Sequence, residues 1–343
     1  MSTTISNLWS PAKIVIGLPE MLTAYAGDFF GSGVISPDRT ATEAASGGGD
    51  VAKIRLLREP DHADAIQIED TAPTVNGVSR SEWDAPILNC VNAIGQTALS
   101  GAVSETDPVF FAQTVINRLR QRNRLATLIG LLNAAFDDAL SANSENSFVE
   151  VQTSVAGSHF IDTDRILAAC ARLGDNKAAL SGGVMLVHTD IETALNKQDQ
   201  IELVRSSEGR LILKAWKGLL VVTGADSLLV RAGTGDPASK VYQSFIFAPG
   251  SIAWGEKPQI AGGREIAGTP ESVASIILDG DAGKNNRVLY DRTRFVLQPR
   301  GLKWTGDPAG QSATNAELAT PGNWALGAAS ANLVPIVRVQ TNG

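Results

Sequence analysis

The stretch 105–142, ETDPVFFAQTVINRLRQRNRLATLIGLLNAAFDDALSA, carries the strongest local signal in the chain. Asp107 suits an N-cap and Pro108 the first helical position, where no amide donor is needed. Glu105 and Asp107 place negative charge where the helix dipole favours it. Val115, Ile116, Leu119, Leu125, Leu128, Ile129, Leu132, Phe136 and Leu140 then recur at helical spacing. A helix over 108–142 would run for roughly 50 Å at about 1.5 Å per residue, far beyond the usual three turns. It lacks a sustained heptad, so it reads as a strut crossing a lobe and not as a coiled coil.

The middle of this strut is polar nearly all round. Arg118, Arg120, Arg122 and Arg124 alternate with Asn117, Gln121 and Asn123, leaving Leu119 alone. Arg118/Arg122 and Arg120/Arg124 are like-charge pairs at i,i+4, which repel in isolation. The cluster reads either as a solvated face or as a contact, with acid on a neighbouring chain or with enclosed nucleic acid.

Residues 1–50, before the strut, show short apolar clusters, Ile14-Val15-Ile16 and Phe29-Phe30, among Gly, Ser and Thr. They read as an extended arm that packs on something else. Gly47, Gly48 and Gly49 form a natural hinge. Residues 51–69 alternate: Ile54 and Leu56 on one face against Lys53 and Arg55, then Ile66 and Ile68 against Gln67 and Glu69. That predicts a β-hairpin with a polar tip at Glu59-Pro60-Asp61-His62-Ala63-Asp64. A lone hairpin is marginal in water, so it must lean on another part or another chain.

Beyond about residue 160 the texture mixes helices and strands. A helix is expected over 162–172, a buried strand over 184–188, and a helix over 191–197 capped by Thr189 or Asp190. Strands are expected at 211–213, 219–222, 241–247, 251–254, 274–278, 287–298 and 334–340. The mixture argues for an α+β fold and not repeated βαβ units.

Composition narrows the function classes. The chain has 343 residues, 43% hydrophobic and 19% charged, with 29 basic against 36 acidic side chains and a net charge of −7. The apolar fraction argues against disorder, and two cysteines cannot staple such a chain. No run of about 20 apolar residues suggests a membrane span, and no secretory leader is visible. A soluble, reduced chain of cytoplasmic origin is expected. The acidic balance argues against tight sequence-independent DNA binding.

The search for an active site is mostly negative. His62, His159 and His188 are the three histidines, and no C-x-x-C or H-E-x-x-H accompanies them. Cys90 and Cys170 read as core residues. His188-Thr189-Asp190 sits at a strand end without a G-x-S-x-G elbow, and Gly233-Thr234-Gly235 and Gly262-Gly263 match no phosphate-binding pattern. No enzyme activity, catalytic residue, metal or cofactor is expected.

The order of parts resembles the major capsid protein of tailed phages, the Hong Kong 97-type fold. The resemblance is carried by Asp107-Pro108, by Leu128 to Phe136, and by Leu173-Gly174-Asp175. It continues with Val184 to Ile191, Tyr242 to Trp254 with its Phe-x-Pro-Gly-Ser-Ile-Ala core, and Arg294-Phe295 through Pro299-Arg300-Gly301-Leu302-Lys303-Trp304. Thr314 to Leu318, Asn323-Trp324 and Ile336 to Val339 complete it. It covers about residues 80–343; the arm and hairpin match by position and texture only.

The resemblance implies an α+β capsid fold: an N-terminal arm (1–50), an extended-loop hairpin (51–80), and a peripheral domain (81–164) with spine helix 108–142. An axial domain (165–265), a return to the peripheral domain (266–330) and a C-terminal strand near the axial domain (331–343) follow. The implied function is an icosahedral shell around the double-stranded DNA genome of a tailed bacteriophage. Its partners would be copies of itself in hexamers and pentamers, a separate scaffolding protein, a portal, a decoration or cement protein, and packaged DNA bound without sequence specificity. No membrane is involved. Assembly would occur in the host bacterial cytoplasm and the product would be the virion capsid. Extended-loop contacts would fall at Ile54, Leu56, Arg58, Glu59, Asp61, Ile66 and Ile68, and contacts to DNA or a neighbour at Arg118, Arg120, Arg122 and Arg124. Two alternatives stand beside this: a non-viral encapsulating shell of the same fold, and a soluble hydrolase using His188 and Asp190.

Overall fold

The computed structural model describes residues 2–3, 27–46, 49–58, 79–97, 117–137, 147–149, 160–205, 211–232, 240–258, 273–279, 286–310, 312–328 and 330–342. The first half holds β1 (Ser2–Thr3), α1 (Gly27–Gly31), β2 (Ile35–Pro37), α2 (Arg39–Ser46), β3 (Val51–Arg58), β4 (Ser79–Thr97), the long helix α3 (Asn117–Asp137) and β5 (Ser147–Val149). Next come α4 (Thr163–Ala171), β6 (Val184–Leu186), α5 (Thr189–Lys197), β7 (Glu202–Arg205), β8 (Leu211–Trp216), β9 (Leu219–Val222), α6 (Asp226–Leu229) and β10 (Val230–Ala232). The chain closes with β11 (Lys240–Phe247), β12 (Ile252–Pro258), β13 (Val273–Asp279), β14 (Asn286–Pro299), β15 (Leu302–Trp304), α7 (Asn315–Leu318), β16 (Trp324–Leu326) and β17 (Ile336–Thr341).

Two sheets organise the described residues. The first, seven-stranded, runs β1-β4-β14-β12-β2, with β13 on β14 and β3 on β4. The second, eight-stranded, runs β5-β17-β11-β6-β9-β8-β7, with β10 on β11. The central strands β17, β11, β6 and β9 of the second sheet are buried on both faces, and their alternation sorts side chains between two cores. Val184, Leu186, Phe245, Phe247 and Ile336 point into one; Met185, Val187, Ile246, Val337 and Val339 point into the other. The second core is closed by Ile166, Ala169 and Cys170 of α4 and by Ile191 and Leu195 of α5.

Helix α3 lies in the first of these cores, between the sheets. Leu125, Leu128, Ile129, Leu131, Leu132, Ala134, Ala135 and Phe136 are all at most 2% exposed. A helix apolar all round belongs inside a core. It meets Phe245 and Phe247 of the second sheet, and Leu88, Ile252, Phe295 and Leu297 of the first. The rings of Phe136 and Phe245 are 6.1 Å apart. The N-cap expected at Asp107-Pro108 and the end near 142 lie outside the described residues.

The structure bears on three expectations. First, residues 27–46 are not an arm in search of a partner. Phe29 and Val34 are fully buried in the chain's own main core, and Phe29 packs 5.3 Å from the Phe247 ring. β2 adds to the first sheet alongside β12, and α2 sits against β12 so closely that only glycine fits at 255. A Cβ there would lie 2.2 Å from the Ala41 carbonyl carbon and 2.3 Å from the Thr42 nitrogen. Sequence periodicity missed this because the segment buries single residues through three short elements, too few for any period to show.

Second, β3 has a partner other than the one expected at 66–69, a stretch that lies outside the described residues. β3 pairs antiparallel with the start of β4, Val51 opposite Pro86 through Arg58 opposite Ser79. β4 also pairs with β14 over eleven residues, Asn286–Val296 against Ile87–Thr97. The hairpin's apolar face is covered within the chain: Ala52 and Ile54 pack with Ala41, Ala45, Ala85, Ile87 and Val296. Residues 59–78, with Glu59, Asp61, Ile66 and Ile68, lie outside the described residues, as do Gly47 and Gly48. Gly49 has a φ of +121°, and its carbonyl accepts a 2.7 Å bond from Arg294.

Third, β12 lies in the first sheet and not with the strands that precede it. β12 pairs with β14 from Ile252–Pro299 to Pro258–Thr293, so it belongs to the first sheet. The turn at Pro249-Gly250 is where the chain crosses between sheets. The strands expected at 184–188, 211–213, 219–222, 241–247, 274–278, 287–298 and 334–340 all occur, within a few residues at their ends.

Candidate assembly surface

The arginine run on α3 does not form one outward basic face. Arg120 and Arg124 share a helix face at i,i+4 and are buried, 3% and 8% exposed, whereas Arg122 is exposed. The side chain of Arg118 lies outside the described residues. Arg124 pairs through Nη2 with Oε1 of Glu256 on β12, and both side chains are at most 10% exposed. Its guanidinium lies 4.5 Å from the Trp254 ring centre and 5.5 Å from that of Phe295. Trp254 and Phe295 are themselves stacked at 5.1 Å. The planar, delocalised cation suits this site better than an ammonium would. The acid that Arg124 meets is therefore on its own chain, which removes Arg120 and Arg124 from a surface available to nucleic acid.

The other end of α3 carries a second charged clasp. Asp137 accepts from Arg338 of β17 at 2.5 Å and from Arg231 of β10 at 2.8 Å. Arg338 is 3% exposed, also donates to the Phe136 carbonyl at 3.1 Å, and lies 5.3 Å from the Phe136 ring. Burial pushes the Asp137 carboxyl up, but the hydrogen bonds from Arg338 and Arg231 outweigh it and hold the carboxyl below its usual range. Burial likewise pulls the Arg338 guanidinium down, against the pull of Asp137. Helix α3 is thus tied to the first sheet through Arg124 and to the second through Asp137. Sequence reading missed Glu256, Arg338 and Asp137. The available signal was a charge inside an apolar strand, as in Val337-Arg338-Val339, which demands a partner.

His188 caps a helix. Its Nδ1 accepts a 2.9 Å bond from the Asp190 amide, and α5 starts at Thr189, so neither Thr189 nor Asp190 is the cap. Asp190 accepts from the Tyr242 hydroxyl at 2.9 Å, and the Thr189 amide and hydroxyl both donate to Asp226. Burial, then the Asp190 contact, push the Tyr242 hydroxyl up to about 12. The imidazole lone pair that a general base needs is already committed to a backbone amide. Cys170 is buried, and burial pushes its thiol up to about 11, the reverse of an activated nucleophile. Among the described residues no group of three or more His, Cys, Asp or Glu is placed to hold a metal, and no helix is long and apolar enough to cross a membrane.

What the geometry leaves open is surface. Phe160, Leu203, Leu213 and Leu333 are 39–50% exposed, all on or beside the second sheet and its helices. Lys53 on β3 is exposed and pairs with Glu82 at 3.6 Å, while the side chains of Leu56 and Arg58 lie outside the described residues. Two ion-pair clasps brace the helix between the sheets, and apolar side chains are left at the edge, which suits association.

No family model matches the chain. Over 324 residues it is 24% identical to the major capsid protein of Bacillus phage SPP1, covering 93% of this chain and 91% of that protein. Its structure aligns with the capsid of Ralstonia phage GP4 at a TM-score of 0.54 and 10% identity, over 91% of this chain and 88% of that one. The two-sheet architecture braced by α3 is the Hong Kong 97-type capsid fold, and this chain is related in sequence to a phage major capsid protein that spans nearly its whole length.

Proposed function

We propose that this chain is the major capsid protein of a tailed bacteriophage and assembles into an icosahedral shell around double-stranded DNA. The observation that carries the reading is the near end-to-end match to a phage major capsid protein, 93% of this chain against 91% of that one, joined to the capsid fold. The Nδ1 of His188 accepts from the Asp190 amide as a helix cap, which supports a structural role for that residue. Self-association is the primary partnership, in rings of five and six. A separate scaffolding protein, a portal and a decoration or cement protein are the further partners, with assembly in the host cytoplasm. The net charge of −7 lets packaged DNA lie inside without adhering.

Negative-stain microscopy of the purified full chain, alone and with its phage's scaffolding protein, tests this. Closed shells or five- and six-membered rings are expected. A chain that stays monomeric at every concentration in both conditions overturns the reading. A non-viral encapsulating shell would instead form closed shells without any scaffold and recruit a protein cargo.

A further inference from the structure

A small cavity sits where α2, β12, the end of β14 and the β3–β4 pair meet. Ile54 and Trp83, which stand opposite each other on β3 and β4, form one side of it. Ala253 of β12 and Gln298 of β14, also opposite each other, form another. Asp38, which precedes α2, and Arg300, which follows β14, complete the lining. The volume is about 10 Å³, close to what the centre of a single water molecule needs.

The polar groups on this lining are unevenly used. Gln298 is 1% exposed, and its Nε2 donates to the Leu302 carbonyl. A carbonyl only accepts, so this bond fixes which way the amide points. Its Oε1 is buried and, among the described residues, accepts no hydrogen bond. Nε of Arg300 is also buried and, among the described residues, donates none. Folded proteins rarely leave such groups unmade, because each has given up its hydration for nothing.

Asp38 brings a third group. Its Oδ1 caps α2, accepting from the Thr40 amide at 2.8 Å and the Ala41 amide at 3.3 Å. Among the described residues its Oδ2 accepts no hydrogen bond, and Asp38 makes no direct ion pair with Arg300. Burial pushes the Asp38 carboxyl up, but the bonds from Thr40 and Ala41, with the charge of Arg300, outweigh it and hold the carboxyl below its usual range. The two charges act on each other without touching, which is the spacing a bridging water serves.

We propose that this cavity binds one structural water, which accepts from Arg300 Nε and donates to Gln298 Oε1 and Asp38 Oδ2. About three partners is the usual number for a buried water. A cation would meet the Arg300 guanidinium there and an anion the Asp38 carboxylate, whereas a neutral molecule that both donates and accepts satisfies all three groups. The water joins the cap of α2 to the end of β14. Arg300 is itself anchored there, its amide donating to the Ser251 carbonyl at 2.9 Å beside the turn where the chain crosses between sheets. The site is part of the scaffold and does not depend on what the chain assembles into.

The direct test is a structure of the full wild-type chain by crystallography or cryo-electron microscopy, at a resolution that shows buried waters. A density peak is expected within hydrogen-bond distance of Gln298 Oε1, Arg300 Nε and Asp38 Oδ2. A map that shows buried waters elsewhere but none here overturns the proposal. Ala253→Val gives the energetic readout, because it adds carbon beside Gln298 and takes the water's place. A dry cavity gains from being filled, whereas a wet one loses its water and strands the polar groups. The melting temperature is expected to fall by about 2–6 °C. Crowding would lower it too, and Gln298→Met, of similar volume, separates the two causes. With the acceptor gone the water is weakly held, so Ala253→Val is expected to cost about half as much or less in that background. An equal cost in both backgrounds means crowding and overturns the proposal, as does an Ala253→Val variant that melts above the wild type.

Discussion

Arg124 and Glu256, 132 positions apart, form an ion pair almost wholly inside the protein, with the Trp254 ring 4.5 Å from the guanidinium. This pair converts what looks like a basic surface run into a bolt between the long helix and the first sheet. Removing one partner strands the other in a desolvated site. Arg124→Ala is expected to cost about 3–5 kcal/mol. Arg124→Met combined with Glu256→Leu should cost much less, because no charge is left buried. Chemical denaturation of the wild type and these two variants checks this. Equal losses in the single and double variants would show that packing, not charge, is what the site needs.

The clasp at Asp137 is more open, with a third of its side chain exposed. Asp137→Asn should therefore destabilise less, by about 1–3 kcal/mol, mostly through the buried Arg338 that loses its anion. The pH dependence follows from the sign of the shift. The carboxyl is held below its ordinary value when folded, so its contribution is present above about pH 4 and is lost as pH falls through the lower folded value. Denaturation midpoints measured from pH 6 to pH 2 should fall less steeply in Asp137→Asn than in wild type. Parallel curves would assign the acid sensitivity to other carboxylates.

Gly255→Ala puts a methyl group into the backbone of α2, 2.2 Å from the Ala41 carbonyl carbon. Neither main chain can yield without moving α2. A loss of about 1–3 kcal/mol is expected, with hydrogen exchange rising first over residues 39–46. Unchanged exchange there would mean that α2 is held by something other than its seat on β12.

His188→Ala removes the acceptor that caps α5 and should cost about 1 kcal/mol. His188→Asn keeps an oxygen acceptor at the cap and should recover most of it. Thermal melts of both variants, with a screen for ester and peptide hydrolysis on the wild type, distinguish a cap from a catalytic base. Hydrolysis abolished by both substitutions, with unchanged melts, would restore the enzymatic alternative.

Much of the strand and helix placement was legible in the residues. The apolar run from Leu125 to Phe136 reads as a helix because local spacing and helix-forming residues agree, and it is one. The strands expected at 184–188, 241–247 and 334–340 read correctly within a few residues for the same reason: short apolar or alternating runs are local properties. Their order along the chain carried the resemblance to capsid proteins. Pairing was not legible. β3 takes the start of β4 as a partner, and β12 joins β14 across about thirty residues. Those choices depend on how many ladder bonds each long-range partner offers, which no local window contains.

The arginines divide in the same way. Sequence alone determined that Arg118 to Arg124 lie on a helix and that, at i,i+4, Arg120 and Arg124 share a face. Only the tertiary structure decided that this face turns inward, because the compensating acid and aromatic rings come from Trp254, Glu256 and Phe295. A buried charge is tolerable only where a partner is brought to it, and that partner is supplied by the fold. For residues 27–46, composition predicted an arm without a partner. Folding supplied one within the chain, in Phe247 for Phe29 and in the missing side chain of Gly255 for α2.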